Sequence, residues 1–499
     1  MEYDVVVVGS GAGALVGAWS AARKGLRTAV LEKAAVCGGI SAYSGAGMFL
    51  PGNHLTVGAG LPDSVERGRA YVGGLVGEVD DRLEAFLSTG PELVAELVTD
   101  PLLELERTPF PEYYDSPARL EGGGQLQPLI LDPADVDPDV LALVRPGISA
   151  DRWYPDAPRT GPLWGGQSLI ARLLMSLKRT GLVDVLTGHA VDELVVADGR
   201  VVGVRATTDA GRVEVGARLG VLLGSGGFER NAELRAKHGV PGDAQHTMAP
   251  ASTSMGEPML AAIAIGADTD LLNEAWFCGA LVEPDGTAGF ILGPSGGLAV
   301  DAWGRRFANE SLPYDRFGRE MAAHAPTAWF VFDARFKGRV PLIRCVSGPK
   351  RDDYMAAGAW VQADTLAELA SLIGTPALEE TVARFNEFAR NGVDDDFHRG
   401  EDEFDRYWAR GDGPNAALVP LEEGPYIAAK LVLGDLGTKG GLVTDPDANV
   451  LRADGSPIPG LYATGNTMAA VTRAFYPAPG TPIGTAMVFA YRAVQSMSA

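Results

Sequence analysis

The sequence predicts an α/β protein that carries an inserted α+β domain, and three features of its 499 residues support this fold class. An unbroken β-branched run, Val5 to Val8, is typical of a parallel strand buried on both faces. Between about Glu274 and Leu436 the composition becomes aromatic-rich and mixed. Near the C-terminus the pattern returns to a short apolar strand, Gly460 to Ala463. The middle of the chain is therefore predicted to be a second, inserted domain.

The N-terminal elements form a predicted βαβ unit. The first strand leads directly into the glycine turn Gly9 to Ala14. Small and apolar residues from Gly13 to Lys24 predict a helix that packs closely on this strand. Arg27 to Leu31 then predicts a second buried strand, which ends at Glu32.

Later elements are marked by turn residues and by hydrophobic spacing. The nine prolines between Pro111 and Pro162 exclude long regular structure there and predict a lid or a binding loop. Thr481 is predicted to cap the last helix, with Pro482 in its first turn. The remaining predicted elements are a hairpin from Val191 to Val204 with its turn at Asp198-Gly199, a short strand Gly220 to Leu223, a helix containing Leu378, Val382, Phe385 and Phe388 with Thr375-Pro376 before it and Gly392 after it, and the last helix from about Pro482 to Met497.

Charge and cysteine content exclude several functional classes. The 42 Lys and Arg residues and 64 Asp and Glu residues give a formal charge of −22, which argues against nucleic acid as a partner. Cys37, Cys278 and Cys345 form no paired motif, and this favours a reducing, cytoplasmic location. The apolar stretch from Val5 to Ala22 is interrupted by glycines and has no basic region before it, so no transmembrane segment is predicted. No side-chain spacing indicates a metal site.

The glycine turn predicts a dinucleotide site. Gly9 permits a tight turn, Gly11 lets the backbone approach a pyrophosphate, and the small side chain of Ala14 permits close packing of helix and strand. Glu32 lies at the end of the next strand, where a carboxylate accepts hydrogen bonds from ribose hydroxyls. NAD and FAD share this pattern, so the turn alone leaves both open.

Two further segments suit a long cofactor. The small-residue run Gly38 to Gly47 follows the second strand, and the turn Thr464-Gly465-Asn466 follows a late strand. Together with Gly224-Ser225-Gly226-Gly227-Phe228, these segments resemble the flavoproteins of the fumarate reductase and 3-ketosteroid dehydrogenase superfamily. The resemblance covers nearly the whole chain and implies FAD as the cofactor. Since the Gly38 to Gly47 run contains no histidine, we expect noncovalent FAD.

The resemblance also implies a domain arrangement and a set of cofactor contacts. Residues 1–274 and 438–499 would form a Rossmann-like FAD-binding domain from both chain ends, and residues 275–437 would form the inserted α+β catalytic domain. The implied cofactor-binding residues are Gly9, Ser10, Gly11, Ala12, Gly13, Ala14, Glu32, Lys33, Gly38, Gly39, Ser41, Ala42, Ser44, Gly45, Ala46, Gly47, Ala190, Ser225, Gly226, Gly465, Asn466, Pro482 and Ile483.

Three motifs closely resemble those of 3-ketosteroid Δ1-dehydrogenases. They are Phe110 to Tyr114, Asn309 to Asp315 and Phe475 to Gly484. By this resemblance Tyr314 is the base and Tyr113 its hydrogen-bonding helper, while Tyr476 and the N–H of Gly480 bind the steroid 3-keto oxygen. Tyr114 is an alternative helper. The sequence departs from the family at Ala478, where glycine is usual, and at Glu257, where aspartate is usual.

The implied reaction is 1,2-desaturation of 3-ketosteroids in steroid catabolism. A hydride leaves carbon 1 for flavin N5, and a proton leaves carbon 2 for a tyrosine. Neutral donors suit this chemistry because they polarise a ketone in an apolar pocket without a buried cation. We expect substrates such as androst-4-ene-3,17-dione and a quinone-like electron acceptor. A 3-ketosteroid Δ4-dehydrogenase and a fumarate reductase-like flavoenzyme remain as alternatives.

Overall fold

The computed structural model describes residues 1–155, 161–337, 339–344 and 349–499. The chain folds into two compact units. We call the first the terminal unit; it comprises Met1–Gly239, Ala249–Ala275 and Gly437–Ala499. We call the second the middle unit; it comprises Val240–Met248 and Trp276–Leu436.

Strands and helices follow one another in chain order through both units. The strands are β1 Glu2–Val8, β2 Thr28–Leu31, β3 Leu105–Thr108, β4 Gln125–Pro128, β5 Val183–Leu186, β6 Ala190–Ala197, β7 Arg200–Thr208, β8 Gly211–Leu223, β9 Thr269–Asp270, β10 Ala275–Val282, β11 Ala288–Pro294, β12 Leu298–Val300, β13 Thr327–Phe332, β14 Leu342–Arg344, β15 Trp360–Ala363, β16 Tyr426–Thr438, β17 Gly441–Leu442, β18 Asn449–Leu451 and β19 Pro457–Ala463. The helices are α1 Ala12–Arg23, α2 His54–Gly58, α3 Val65–Val76, α4 Asp81–Leu97, α5 Pro138–Leu143, α6 Ile148–Arg152, α7 Gly166–Thr180, α8 Ala232–His238, α9 Glu257–Ala264, α10 Tyr314–His324, α11 Arg351–Ala356, α12 Leu366–Ile373, α13 Leu378–Asn391, α14 Glu403–Trp408 and α15 Thr481–Met497.

The terminal unit is built on a mainly parallel sheet with the strand order β18-β19-β8-β1-β2-β5. Strand β1 pairs in parallel with β2 and β8, and β19 pairs in parallel with β8. In this register Val8 lies opposite Leu31 and Leu223, and Leu223 lies opposite Ala463. The carboxyl ends of four strands therefore meet at one edge of the sheet, which is where ligands bind in open α/β sheets.

Helices α1 and α15 pack closely because both carry small residues at their contact. A Cβ atom at Gly13 would lie 2.8 Å from the carbonyl oxygen of Ala486. A Cβ atom at Gly17 would lie 2.5 Å from a methyl carbon of Leu222 on β8. A larger side chain at either position forces the elements apart, so Gly13 sets the spacing of α1 from α15 and Gly17 its spacing from β8.

The middle unit contains an antiparallel sheet with the strand order β12-β13-β16-β10-β11-β14, and β15 also pairs with β16. Helix α13 buries one apolar stripe, which includes Leu378, Val382 and Phe385, against the core of this unit. This stripe matches the helical spacing of the sequence, and Gly392 ends the helix in the left-handed conformation.

Most predicted elements are present, with three differences. Helix α1, strand β2 and the hairpin β6–β7 are confirmed within a few residues. Strand β8 is longer than the predicted Gly220 to Leu223, because it also pairs with β7. Helix α13 begins after Ala377 rather than directly after Thr375-Pro376. The described part of the proline-rich stretch holds only short elements, as expected.

The third difference concerns the start of α15. Gly480, not Thr481, is the N-cap residue, and no side chain caps this end. The hydroxyl of Thr481 instead donates to the carbonyl of Ala478 at 2.8 Å.

Within the described ranges, none of the helices has both the length and the apolar character needed to cross a bilayer. The side chains of Cys37 and Cys278 are buried, and Cys345 lies outside the described residues.

Candidate active site

The first predicted cofactor segment is the glycine turn at the carboxyl end of β1. Gly9 has a φ of 98°, and its N–H donates to the carbonyl of Leu31 at 2.8 Å. A Cβ atom at this position would lie 2.4 Å from the carbonyl oxygen of Gly224. The positive φ and the close backbone both require glycine. The turn is therefore held against the ends of β2 and β8.

Glu32 follows β2 and is buried beside this turn. Its Oε2 accepts the Ser10 hydroxyl at 2.5 Å, and its Oε1 accepts the N–H of Ala34 at 2.8 Å. Burial raises the pKa of this carboxyl, while the Ser10 hydroxyl acts in the opposite direction. A carboxylate offers about four acceptor sites, so Glu32 retains capacity for hydroxyl donors such as those of a ribose.

Two serines join the second predicted segment to the first. The Ser10 hydroxyl accepts the N–H of Gly38 at 2.9 Å, and the Ser41 hydroxyl accepts the N–H of Ala12 at 3.1 Å. Residues Gly39–Tyr43 form a short 3-10 helix. The start of the small-residue run thus lies beside the glycine turn.

The far end of that run meets the final helix. Gly480, with a φ of 86°, approaches so closely that a Cβ atom would lie 2.2 Å from the carbonyl carbon of Gly47. The hydroxyl of Ser44 accepts the N–H of Ala46 at 3.0 Å, and the carbonyl of Gly45 accepts the Gln127 amide at 2.8 Å. Pro482 and Ile483 lie in the first turn of the helix that follows Gly480.

A third group lies where β8 and β19 end. The short 3-10 helix Gly465–Thr467 contains the predicted Gly465 and Asn466. The Thr467 hydroxyl donates to the carbonyl of Gly226 at 2.8 Å and lies 3.4 Å from the Ser225 hydroxyl. The predicted cofactor residues after β8, Ser225 and Gly226, therefore lie next to the short helix after β19 that contains Gly465 and Asn466.

The last two predicted cofactor residues lie at the edge of this region. Ala190 begins β6 and follows His189, whose N–H donates to the carbonyl of Glu32 at 2.9 Å. Lys33 pairs with Glu257, the position that departs from the family pattern, at 2.5 Å. Both side chains of this pair are about one-third exposed, so it contributes little to stability.

These features fit a flavin dinucleotide on three counts. Gly11 caps α1 without a side chain, which suits the approach of a phosphate to the amides of the first turn. The buried carboxylate of Glu32 matches a ribose diol. The backbone contacts at Gly9 and Gly480 leave no room for side chains along the strand ends. The terminal unit therefore has the donors, acceptors and narrow backbone spacing that FAD needs.

Three of the four predicted catalytic residues lie together in the terminal unit. The rings of Tyr113 and Tyr476 are buried and pack edge to face, with centroids 5.3 Å apart. The N–H of Tyr113 donates to the carbonyl of Pro477 at 2.9 Å. Gly480 lies on the same short segment as Tyr476. The segment Phe110 to Tyr114 is therefore attached directly to the segment that carries Tyr476 and Gly480.

Tyr71 on α3 strengthens this attachment and was not predicted from the sequence. Its hydroxyl donates to the carbonyl of Pro477 at 2.7 Å and accepts the N–H of Tyr114 at 3.1 Å. Burial raises the pKa of this phenol, so it remains a neutral donor. The Tyr114 ring packs against Phe475, with centroids 5.9 Å apart. No local pattern marks Tyr71, since Pro477 lies 406 positions away.

A buried carboxyl lies next to Tyr113 in the chain. Glu112 is 1% exposed and pairs with Arg67 at 3.0 Å, and Arg67 also pairs with Asp63 at 2.7 Å. Burial raises the pKa of Glu112 to about 7, although Arg67 acts to lower it. This carboxyl thus titrates near neutral pH and was also missed from the sequence.

Tyr314, the fourth predicted catalytic residue, belongs to the middle unit. It is the first residue of α10, and its buried ring packs edge-on against Phe290, with centroids 4.9 Å apart. The motif before it is anchored by buried charges. Glu310 pairs with Arg306 at 2.8 Å and with Arg399 at 3.1 Å. These contacts fix the chain where it enters α10.

Two carboxylates of the acidic run Asp394 to Asp396 form ion pairs with arginine side chains. Asp394 pairs with Arg306 at 2.9 Å, and Asp396 pairs with Arg384 at 2.6 Å. Among the residues that the structure describes, no group of three or more acidic, histidine or cysteine side chains is arranged to hold a metal ion.

Comparison with known proteins places the chain in a family. Residues 4–483 match the family model described as FAD binding domain. A 3-oxosteroid 1-dehydrogenase of Rhodococcus opacus is 38% identical, over 100% of this chain and 99% of that protein. A 4-oxocyclohexanecarboxylate 2-dehydrogenase of Sinomonas cyclohexanicum is 34% identical, over 99% of this chain and 93% of that protein.

A solved structure agrees with these relatives. The 3-ketosteroid delta1-dehydrogenase from Sterolibacterium denitrificans, in complex with 1,4-androstadiene-3,17-dione, matches with a TM-score of 0.90. It is 30% identical, and the match covers 100% of this chain and 99% of that one. The chain therefore belongs to the FAD binding domain family and, within it, to the 3-oxosteroid 1-dehydrogenases.

Proposed function

We propose that this protein is an FAD-dependent oxidoreductase that introduces a double bond between carbons 1 and 2 of 3-ketosteroids. The observation that carries the proposal is the packing of Tyr113 against Tyr476, on the segment that also holds Gly480. This arrangement lies in a unit whose strand ends fit FAD, in a chain 38% identical to a 3-oxosteroid 1-dehydrogenase.

We assign the cofactor to the domain made from both chain ends, residues 1–274 and 438–499 without Val240–Met248, which belongs to the middle unit, and the catalytic insertion to residues 275–437. Gly9 to Ala14 bind the diphosphate through backbone N–H groups, and Glu32 accepts the ribose hydroxyls. The Gly38 to Gly47 run and the Gly465–Thr467 helix hold the remainder without a covalent bond. FAD bound in this way supplies the acceptor for the hydride that leaves carbon 1.

The 3-keto oxygen is bound by two neutral donors, the hydroxyl of Tyr476 and the N–H of Gly480. Tyr476 is 3% exposed, so hydrogen bonds there act in a medium of low dielectric constant and are stronger than in water. Donation to the ketone draws electron density from carbon 2 and makes its proton acidic. Because both donors are uncharged, no cation has to be desolvated.

Tyr314 removes the proton from carbon 2 through its phenolic oxygen. The ordinary pKa of tyrosine is about 10, so the base needs a hydrogen bond that favours its phenolate. From the resemblance of the motif Phe110 to Tyr114 we assign this role to Tyr113, with Tyr114 as the alternative. The Tyr113 ring packs on Tyr476, whereas the Tyr114 ring packs on Phe475.

The proposal is tested by mixing the purified holoenzyme anaerobically with androst-4-ene-3,17-dione. We expect the visible flavin band to bleach and the 1,4-diene to be recovered, and a quinone then to restore the band. If the band stays yellow with this steroid but bleaches with a saturated 3-ketosteroid that yields the 4-ene, the enzyme is a Δ4-dehydrogenase. Bleaching by neither steroid contradicts the proposal.

A second candidate substrate is a monocyclic ketone. The relative named 4-oxocyclohexanecarboxylate 2-dehydrogenase is 34% identical over 99% of this chain. The 4-oxocyclohexanecarboxylate in that name also carries a ring ketone, which the same pair of neutral donors can polarise. The ratio of kcat/KM for androst-4-ene-3,17-dione to that for 4-oxocyclohexanecarboxylate decides between them. We expect the steroid to have the higher value.

A further inference from the structure

Lys439 is a buried cation that the proposed reaction does not use. It follows the end of β16 in the terminal unit, and its side chain is fully buried. The ammonium donates to the carbonyl oxygens of Ala474 and Phe475, at 2.9 and 3.3 Å. Burial of an ammonium is costly unless it is hydrogen-bonded, and these two carbonyls accept hydrogen bonds from Lys439. The next residue after Phe475 is Tyr476.

The turn before Tyr476 has an uncommon backbone conformation. Arg473 has a φ of 53°, which few residues other than glycine adopt. The turn closes through a hydrogen bond from the N–H of Phe475 to the carbonyl of Thr472, at 3.0 Å. The Thr472 hydroxyl donates to the carbonyl of Phe475 at 2.9 Å. Such a conformation persists only when its surroundings hold it, and Lys439 and Thr472 both bind the same carbonyl.

The backbone of Lys439 is itself fixed. Its N–H donates to the carbonyl of Glu274 at 2.9 Å, and its carbonyl accepts the N–H of Ala470 at 3.0 Å. The neighbouring Thr438 hydroxyl accepts the N–H of Phe228 at 3.1 Å. Phe228 ends the glycine segment that follows β8. The backbone that carries the ammonium is therefore fixed by hydrogen bonds, and it also contacts a predicted cofactor segment.

We propose that Lys439 is a positioning residue for the ketone-binding hydroxyl of Tyr476. By holding the carbonyls of Ala474 and Phe475, its ammonium sets the direction in which the chain enters Tyr476. The inference rests on the proposed role of Tyr476 in binding the 3-keto oxygen. A misplaced donor costs more as charge develops on that oxygen than in the ground state, so loss of Lys439 lowers kcat more than it raises KM.

The test compares four variants of the holoenzyme with wild type in steady-state turnover of androst-4-ene-3,17-dione. Lys439→Met removes the ammonium at similar length, and Lys439→Gln keeps a donor without the charge. Thr472→Val removes the second donor to the Phe475 carbonyl, and Tyr476→Phe removes the positioned hydroxyl. We expect Lys439→Met to lower kcat about 100-fold, as roughly 1 Å of misplacement does, with KM changed less than about threefold. Lys439→Gln and Thr472→Val should each lower kcat by a smaller factor.

A double variant separates positioning from a general structural role. If Lys439 acts through Tyr476, adding Lys439→Met to Tyr476→Phe lowers kcat by less than about twofold further, because the positioned hydroxyl is already absent. A structural role would instead lower FAD content and multiply the two effects.

Each failure has its own signature. A Tyr476→Phe variant with wild-type kcat overturns the proposed role of Tyr476 in binding the 3-keto oxygen, and the positioning inference that rests on it. A slow Tyr476→Phe variant together with a Lys439→Met variant of unchanged kcat, or with multiplying effects, overturns only the positioning inference. If Lys439→Met does not fold, Lys439→Gln is judged by the same criteria, alone and combined with Tyr476→Phe.

Discussion

Replacement of Gly480 by alanine tests the contact between the final helix and the small-residue run. Gly480 has a φ of 86°, and an added Cβ would lie 2.2 Å from the carbonyl carbon of Gly47 and 2.4 Å from the nitrogen of Met48. Ordinary contacts begin at 3.4 Å, and both neighbours are backbone atoms that cannot rotate away. Gly480→Ala must therefore move one segment by about 1 Å, the scale of misplacement that disrupts catalysis.

The expected size of the effect follows from this displacement. A shift of about 1 Å in a group that binds the reacting part of a substrate costs about 100-fold in rate, or about 2.7 kcal/mol of activation free energy. We therefore expect Gly480→Ala to lower kcat about 100-fold. The assay is formation of the 1,4-diene at saturating steroid with a dye as acceptor, normalised to bound FAD.

Gly239→Ala is the matched control. Gly239 ends α8 in the same unit with a φ of 70°, and a Cβ atom there would meet nothing within 4 Å. This variant carries the backbone cost, about 1 kcal/mol, without the collision. Its kcat should equal that of wild type. The reasoning is wrong if Gly480→Ala keeps more than a tenth of wild-type kcat, or if both variants lose activity equally.

Three other changes have defined outcomes. Tyr314→Phe should lower kcat about 10²–10⁴-fold while FAD content stays unchanged. The measurement is the rate of flavin bleaching after rapid mixing with steroid, and a fall of less than tenfold contradicts the proposed role of Tyr314 as the base. Tyr71→Phe removes the donor to Pro477 and the acceptor for the Tyr114 N–H, so denaturant titration should show a loss of about 1–3 kcal/mol. In the folded protein the pKa of Glu112 is raised from 4.5 to about 7, so its contribution to stability is complete below about pH 4.5 and is lost as pH rises through 7. Glu112→Gln should therefore flatten the plot of thermal midpoint against pH over this range. An unchanged plot refutes the assignment.

The local pattern of the sequence was sufficient for the elements that carry the proposed cofactor-binding residues. The run Val5 to Val8, the glycines after it and Glu32 lie within one βαβ unit, and the structure has this unit with the predicted elements. Hydrophobic periodicity and turn residues act over a few positions, so β6–β7 and α13 were also predictable. The start of α15 was not, because a glycine in the left-handed conformation took the cap position in place of Thr481.

The contacts between the segments that carry the proposed catalytic residues required the tertiary structure. The sequence motifs identified Tyr113, Tyr476 and Gly480, but nothing local indicates that Tyr71 joins two of these segments. The two carbonyls that accept from Lys439 belong to residues 35 and 36 positions after it in the sequence. Gly47 and Gly480 are in contact although most of the chain separates them in sequence. Residue type and spacing determine which chemistry the chain carries, whereas close packing of segments distant in sequence decides which atoms meet, because such contacts depend on the whole fold and leave no periodic trace.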